Sequence, residues 1–150
     1  MADIPEPAAP PAGARPDIRA LLERTTTVAV VGFSTDPSKT AHRIPALVMQ
    51  AGFRVIPVHP TATEILGAKA YRSLADIPEP LDMVDVFRPR GEATAVVMDA
   101  IAAGARSVWL QSGIVSPEGR AAADRAGIDY VEDECLGVEV RRFGIRKPAR

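Results

Sequence analysis

The residues best suited to chemistry crowd into one short stretch, Gly32-Phe33-Ser34-Thr35-Asp36-Pro37-Ser38-Lys39-Thr40-Ala41-His42-Arg43. Glycine at 32 lets a backbone approach a ligand closely. Ser34, Ser38 and Thr40 offer hydroxyl donors, and Lys39, His42 and Arg43 offer positive charge. A helix is expected to follow, and its first amides would add unpaired donors and a partial positive charge. Pro45 belongs in that helix's first turn and so limits where it starts. Together these features describe a phosphate cradle. With one glycine the stretch is not a GxGxxG fingerprint, and GxxxxGK[ST] is missing as well. A solvated surface loop with ordinary turn chemistry therefore stands beside the cradle as an alternative.

The cradle has meaning only if the chain positions it. Thr27-Val-Ala-Val-Val31, just before it, is a continuous apolar run, as expected of a strand buried on both faces. Four more strands are expected over Phe53–Val58, Met83–Phe87, Ser107–Leu110 and Ile128–Val131. Between them Ile44, Leu47, Val48 and Ala51 fall on one helical stripe, and Ala93, Val97, Ala100 and Ile101 on another. Ser116-Pro117 reads as a cap followed by proline at the first helical position. Gly52, Gly104 and Gly127 close the three helices ahead of the next strand. A further short helix, Asp17–Glu23, opens the domain with Asp17 as its cap. The segment Pro60–Pro80 is looser, with an extended piece at Lys69–Tyr71 and a helical turn at Ser73–Ala75. Alternation of strand and helix specifies an α/β fold: a Rossmann-like, doubly wound, mainly parallel five-stranded sheet with helices on both faces. In such sheets ligands bind at the carboxyl ends of the strands, where the strand order reverses, and the loop after the first strand flanks that point.

The second strand narrows the ligand. A nicotinamide site places Asp or Glu at its end to hold the ribose hydroxyls. Here the strand runs Val55-Ile56-Pro57-Val58-His59-Pro60, without an acid. That disfavours NAD and suits an adenine with a phosphorylated ribose, with His59 at the pocket rim. His42 and His59 have no nucleophile or orienting acid beside them in sequence, so neither completes a catalytic set. Two histidines without a spacing pattern make no metal site. Cys135, after Glu132-Asp133-Glu134, reads as structural, since acidic neighbours disfavour a thiolate. Trp109 reads as core. Asp85, in an apolar strand, needs a hydrogen-bond partner if buried.

Bulk properties agree with one compact domain. The chain has 150 residues, 18 basic and 19 acidic, with net charge −1 and 47% apolar residues. That balance points to neither nucleic acid nor an anionic membrane as a partner. No apolar run approaches the roughly 18 residues of a membrane helix, and no signal peptide is recognisable. With Cys135 as the single cysteine, no internal disulfide forms, which fits a cytoplasmic setting. Residues 1–16, with five prolines and five alanines, read as a disordered tail, leaving 17–150 as the domain.

Four segments in order, VAVVGFSTDPSKTAHRIPALVMQAGFRVIPVHP, LGAKAYRSLADIPEPLDMVDVFRP, VWLQSGI and AGIDYVEDECLGVE, resemble the stand-alone CoA-binding proteins of bacteria and archaea. These are similar to the N-terminal CoA-binding domain of the succinyl-CoA synthetase α subunit. The resemblance spans about residues 18–143. It matches Gly32 and Ser34 to the family's glycine-serine pair, Pro37 and Lys39 to its proline and basic residue, and Phe87 and Arg88 to the third strand's aromatic and arginine. The family's valine-asparagine-proline appears as Val58, His59 and Pro60. Departures occur at Ala41, where a serine is lost, at Thr61 in place of lysine, and at Glu134 in place of arginine beside Asp133 and Cys135. What the resemblance implies is coenzyme A as cofactor, and the residues expected to hold it, from the loop and the family matches together, are Gly32, Phe33, Ser34, Lys39, His42, Arg43, Val58, His59, Pro60, Phe87 and Arg88. It also implies binding without catalysis, since the synthetase's ligase chemistry lies in a later domain for which a chain ending at Arg150 is expected to have no room. The alternatives are a nucleotide- or acyl-CoA-using transferase with His42 or His59 as base, and a regulatory dinucleotide sensor. A homodimer or a separate protein partner fits either reading.

Overall fold

A computed structural model describes residues 14–148. The greater part of the expected N-terminal tail, residues 1–13, lies outside the described residues. The chain alternates between strand and helix as the apolar pattern dictates. Helix α1 (Ile18–Arg24) is capped by Asp17, whose side chain accepts from the Ala20 amide at 3.1 Å. Strand β1 (Thr27–Val31), helix α2 (Thr40–Gln50) and strand β2 (Arg54–Val58) follow. A two-stranded antiparallel hairpin comes next, β3 (Glu64–Ile65) with β4 (Ala68–Lys69), then a single 3₁₀ turn, Leu74–Asp76. The remainder is β5 (Met83–Val86), α3 (Arg90–Ala102), β6 (Ser107–Leu110), α4 (Pro117–Ala126), β7 (Asp129–Val131) and α5 (Leu136–Arg142).

The main sheet has the order β2-β1-β5-β6-β7, and every pair in it is parallel. Both faces are covered, which is why its strands are near-continuous apolar runs. Val28, Val30, Met83, Trp109 and Val131 point to one face and pack with Leu21, Leu22, Val48, Leu136 and Val140, which come from α1, α2 and α5. Ala29, Val84, Val86, Val108 and Leu110 point to the other and pack with Ala93, Val97, Ala100 and Ala123 of α3 and α4. Period-two alternation along each strand thus assigns each side chain to one of two cores. On the α2/α5 face this register also places Asp85, Trp109 and Gln111 on one side of neighbouring strands.

The expected five-stranded parallel architecture is therefore present, with four adjustments. Strand ends shift by a residue: β2 starts at Arg54, β5 ends at Val86 and β7 starts at Asp129. Pro45 is not in the first turn of α2 but inside it, well after Thr40. The helix tolerates it because the carbonyl that Pro45 cannot serve, Ala41 O, accepts from Ser34 N–H at 3.1 Å instead. The β3–β4 hairpin falls in the stretch expected to be irregular, and α5 follows the last expected strand, where no helix was expected.

The C-terminal segment crosses back over the start of the domain. Lys147 N–H donates to Ala51 O at 2.7 Å, and its ammonium donates to Leu22 O and Glu23 O at the end of α1. Gly52, at φ +96°, sits directly under Lys147 O, which a Cβ would strike. Gly52→Ala is expected to lower stability by about 1–3 kcal/mol through backbone strain and displacement of this strap, read as a lower urea midpoint.

Candidate functional site

The strand order reverses between β1 and β5. Beyond their carboxyl ends lies a cleft of about 510 Å³ lined by Thr40, Ala41, Phe87, Arg88, Pro89, Gln111, Ser112, Ile114 and Cys135. Its size suits a small-molecule site, and its position is the one this topology favours. Its walls are the start of α2, the loop after β5, the loop after β6 and the residue before α5.

Gly32 makes the first turn out of β1 at φ +91°. A Cβ there would lie 2.8 Å from Phe87 O and 3.0 Å from Arg88 Cδ. Only glycine lets the loops after β1 and β5 meet this closely. Its amide donates to Val58 O at 3.4 Å, so the ends of β1, β2 and β5 join at one residue. Ser34 is then clamped from both sides. Its amide donates to Ala41 O at 3.1 Å, and its carbonyl sits 2.7 Å from His42 Nδ1. His42 is buried, with Phe33 edge-on at 5.8 Å. Its Nδ1–H donates to Ser34 O, so the ring holds the loop in place.

The hydroxyls divide their work. Ser34 Oγ accepts from the Asp36 amide, which leaves its hydrogen available. Ser38 Oγ donates to Asp36 Oδ1 at 2.7 Å, and Ser38 N–H donates to the same oxygen. Ser38 is thus spent on an internal turn, contrary to its expected place as a donor to ligand. The Ser38 amide and then its hydroxyl hold the Asp36 carboxyl below the usual carboxylate range. Arg43 is tied to Ser38 O at 2.8 Å. Lys39 is exposed at the N-terminus of α2, where its carbonyl accepts from His42 N–H and Arg43 N–H. The amides of Thr40 and Ala41, on the cleft wall, have no hydrogen-bond partner among the described residues.

Arg88 Nη2 donates to both carboxylate oxygens of Glu92, at 3.0 and 2.7 Å. Both side chains are about half exposed, so the pair contributes little and is readily exchanged for another anion. His59 is placed differently. Its Nδ1 accepts from the Thr61 and Ala62 amides at 3.1 and 2.8 Å, capping the turn after β2. Val58, His59 and Pro60 lie at the same sheet edge as Gly32 but outside the cleft lining.

Residues beyond the expected set complete the walls. Gln111, Ser112 and Ile114 are among them, and their loop is braced by Arg90 Nε donating to Gly113 O and Gly113 N–H donating to Asp133 Oδ1. Cys135 is half-buried and lines the cleft rather than the core. Trp109 is fully buried, with Nε1–H donating to Glu134 O at 2.8 Å. Asp85 is fully buried too and finds its partner in Gln111, whose Nε2 donates to Oδ1 at 2.6 Å, while Oδ2 has none. The signal for Gln111 and Ile114 in the sequence was their place just past the fourth strand, a carboxyl end like that of β1.

A parallel sheet in this order, with a glycine-opened loop meeting a helix start at the switch point, defines a Rossmann-like ligand-binding domain. Residues 26–141 match the family model described as the CoA binding domain, and the chain belongs to that family. It is 35% identical over 122 residues to the Bacillus subtilis protein YneT, spanning 81% of this chain and 90% of that one. It is also 32% identical over 111 residues to an ADP-forming acetate–CoA ligase II of Archaeoglobus fulgidus, matching only 16% of that protein. Among solved structures, a Thermus thermophilus protein is 42% identical with a TM-score of 0.80, over 84% of this chain and 96% of that one. Among the described residues no helix is long and apolar enough to cross a membrane.

Burial pushes the Asp85 carboxyl up to about 8, against the weaker downward pull of the Gln111 and Val86 hydrogen bonds. In the unfolded chain the group ionises near its ordinary value of about 4. The folded state therefore holds an extra proton between about pH 4 and pH 8, and rising pH across that window favours unfolding. Asp85→Asn removes the effect. Its stability relative to wild type is expected to rise from pH 4 to pH 8 and level off above, as measured by denaturant unfolding at each pH.

Proposed function

We propose that this chain binds coenzyme A or an acyl-CoA in the cleft at the β1–β5 switch point, as a binding module without chemistry of its own. The observation that carries the reading is the junction at Gly32, which brings the loop after β1, the free first amides of α2 and Arg88 around one cleft. Family membership supports CoA as the ligand class. The amides of Thr40 and Ala41 and the partial positive charge of α2 suit a phosphate. Arg88 adds charge in the cleft lining, by exchanging Glu92 for the ligand, and Lys39 adds an exposed charge one residue before the cleft-lining Thr40. Ser34 Oγ–H adds a hydroxyl donor from the clamped loop.

The binding-only reading rests on what the histidines are doing. Nδ1 of His42 is engaged by Ser34 O and Nδ1 of His59 by two backbone amides. Both rings serve the architecture of their turns. Among the described residues neither ring is hydrogen-bonded to a hydroxyl or thiol in a base–orienter arrangement. The ligase relative is far longer than the part this chain matches, so its activity does not carry over with the binding domain.

Calorimetric titration with CoA, acetyl-CoA, NAD and ATP tests the proposal. CoA or acetyl-CoA is expected to bind and NAD is not; binding of NAD with none of CoA at millimolar concentration would sink it. Lys39→Ala is expected to weaken CoA binding by about 1–2 kcal/mol, the scale of a charge-assisted contact. An unchanged affinity would remove Lys39 from the site.

A further inference from the structure

We infer that Asp85 is a positioning residue for the ligand: from inside the sheet it holds the Gln111 amide nitrogen, so that Gln111 presents its carbonyl oxygen to the cleft and selects a ligand group that donates an N–H or O–H there. The inference deepens the CoA reading and rests on it. In a CoA ligand, the donor matched to this oxygen is an amide N–H of the pantetheine arm.

The geometry leaves Gln111 little choice. The residue is only 5% exposed, yet it lines the cleft. Asp85 and Gln111 lie on the same face of neighbouring strands, because Asp85 pairs with Trp109 and Gln111 is two residues further along. Nε2 donates to Asp85 Oδ1 at 2.6 Å. That contact turns Oε1 away from Asp85. The buried side-chain oxygens without a partner among the described residues are Asp85 Oδ2 and Glu139 Oε2, and Gln111 Oε1 is not one of them. Among the described residues no donor meets Oε1 either, so it opens onto the cleft that Gln111 lines. The backbone of the same loop is fixed independently, by Arg90 on Gly113 O and by Asp133 on Gly113 N–H. The Gln111 side chain is thus the adjustable part, and Asp85 sets it.

A buried carboxylic acid with one unpaired oxygen is an expensive way to build a sheet. An apolar residue at 85 would pack beside Val30 and Trp109, its cross-strand neighbours on that face, without that cost, so packing alone gives no reason for an acid. Orientation of an amide does give one. An amide is symmetric in shape but not in chemistry, and the acceptor oxygen that Asp85 turns toward Gln111 Nε2 fixes which end faces the ligand.

Calorimetry with CoA and with adenosine 3′,5′-bisphosphate, which lacks the pantetheine arm, tests the inference on the full chain. Gln111→Leu and Asp85→Leu are each expected to lower CoA affinity about tenfold and leave bisphosphate affinity within twofold. In the Gln111→Leu background Asp85→Leu should add nothing, because Asp85 acts through Gln111. Asp85→Asn keeps an acceptor oxygen and should restore most of what Asp85→Leu loses. If Asp85→Leu does not fold, Asp85→Ala makes the same comparison. The inference is overturned if the Asp85 variant leaves CoA affinity unchanged, weakens both ligands alike, or has its full effect without Gln111. If wild type binds the bisphosphate but the arm adds no affinity, this inference falls and the phosphate site stands. If wild type binds neither, both fall.

Discussion

The double clamp on Ser34 is the constraint on which the cleft depends. Its amide reaches Ala41 O because Pro45, lacking an N–H, leaves that carbonyl free. Its carbonyl meets the ring of His42, in the first turn of the same helix. A loop carrying two serines, an aspartate and a proline would otherwise sample many conformations, and fixing each residue costs about 1–2 kcal/mol of entropy. The clamp meets that cost within the protein, before any ligand arrives. The first amides of α2 are left facing a cleft whose other wall, Phe87 and Arg88, is brought in by the contact at Gly32.

Much of the fold was legible because two-sided burial leaves a strong mark. Thr27–Val31 and Met83–Val86 are apolar runs too short for a helix and flanked by turn residues, and the sheet buries them on both faces. The hairpin Glu64–Lys69 was not legible. Its turn puts Leu66 at φ 51° and Gly67 at φ 81°, a geometry usually marked by Asn-Gly or Asp-Gly, and leucine gives no such warning. Helix α5 was missed for a different reason. It has seven residues, and its inward side chains, Leu136, Gly137, Glu139 and Val140, include a glycine and a charged residue that blur the apolar stripe.

The candidate site was legible at the level of segments more than of atoms. The stretch from Gly32 to Arg43, together with Phe87 and Arg88, was found in the sequence, and the fold brings these segments together at the switch point. The division of labour within the loop was not readable, since it turns on which hydrogen bonds close inside it. Ser38 serves Asp36, and His42 serves Ser34. Nor does spacing reveal that Asp85, on β5, and Gln111, just past β6, share a hydrogen bond. That pairing depends on the register of β5 with β6, which only the folded sheet supplies. The acid-free end of β2 keeps its value as evidence against a nicotinamide ligand, although His59 caps a turn.

The account's central claim is a place as much as a ligand, and NMR of the labelled protein tests both together. On addition of CoA, the backbone amides of residues 32–43, 87–88 and 111–114 are expected to shift, while those of the β3–β4 hairpin and of the Lys147 strap stay where they are. Shifts confined to residues away from the β1–β5 switch point, or none at millimolar CoA, would contradict it.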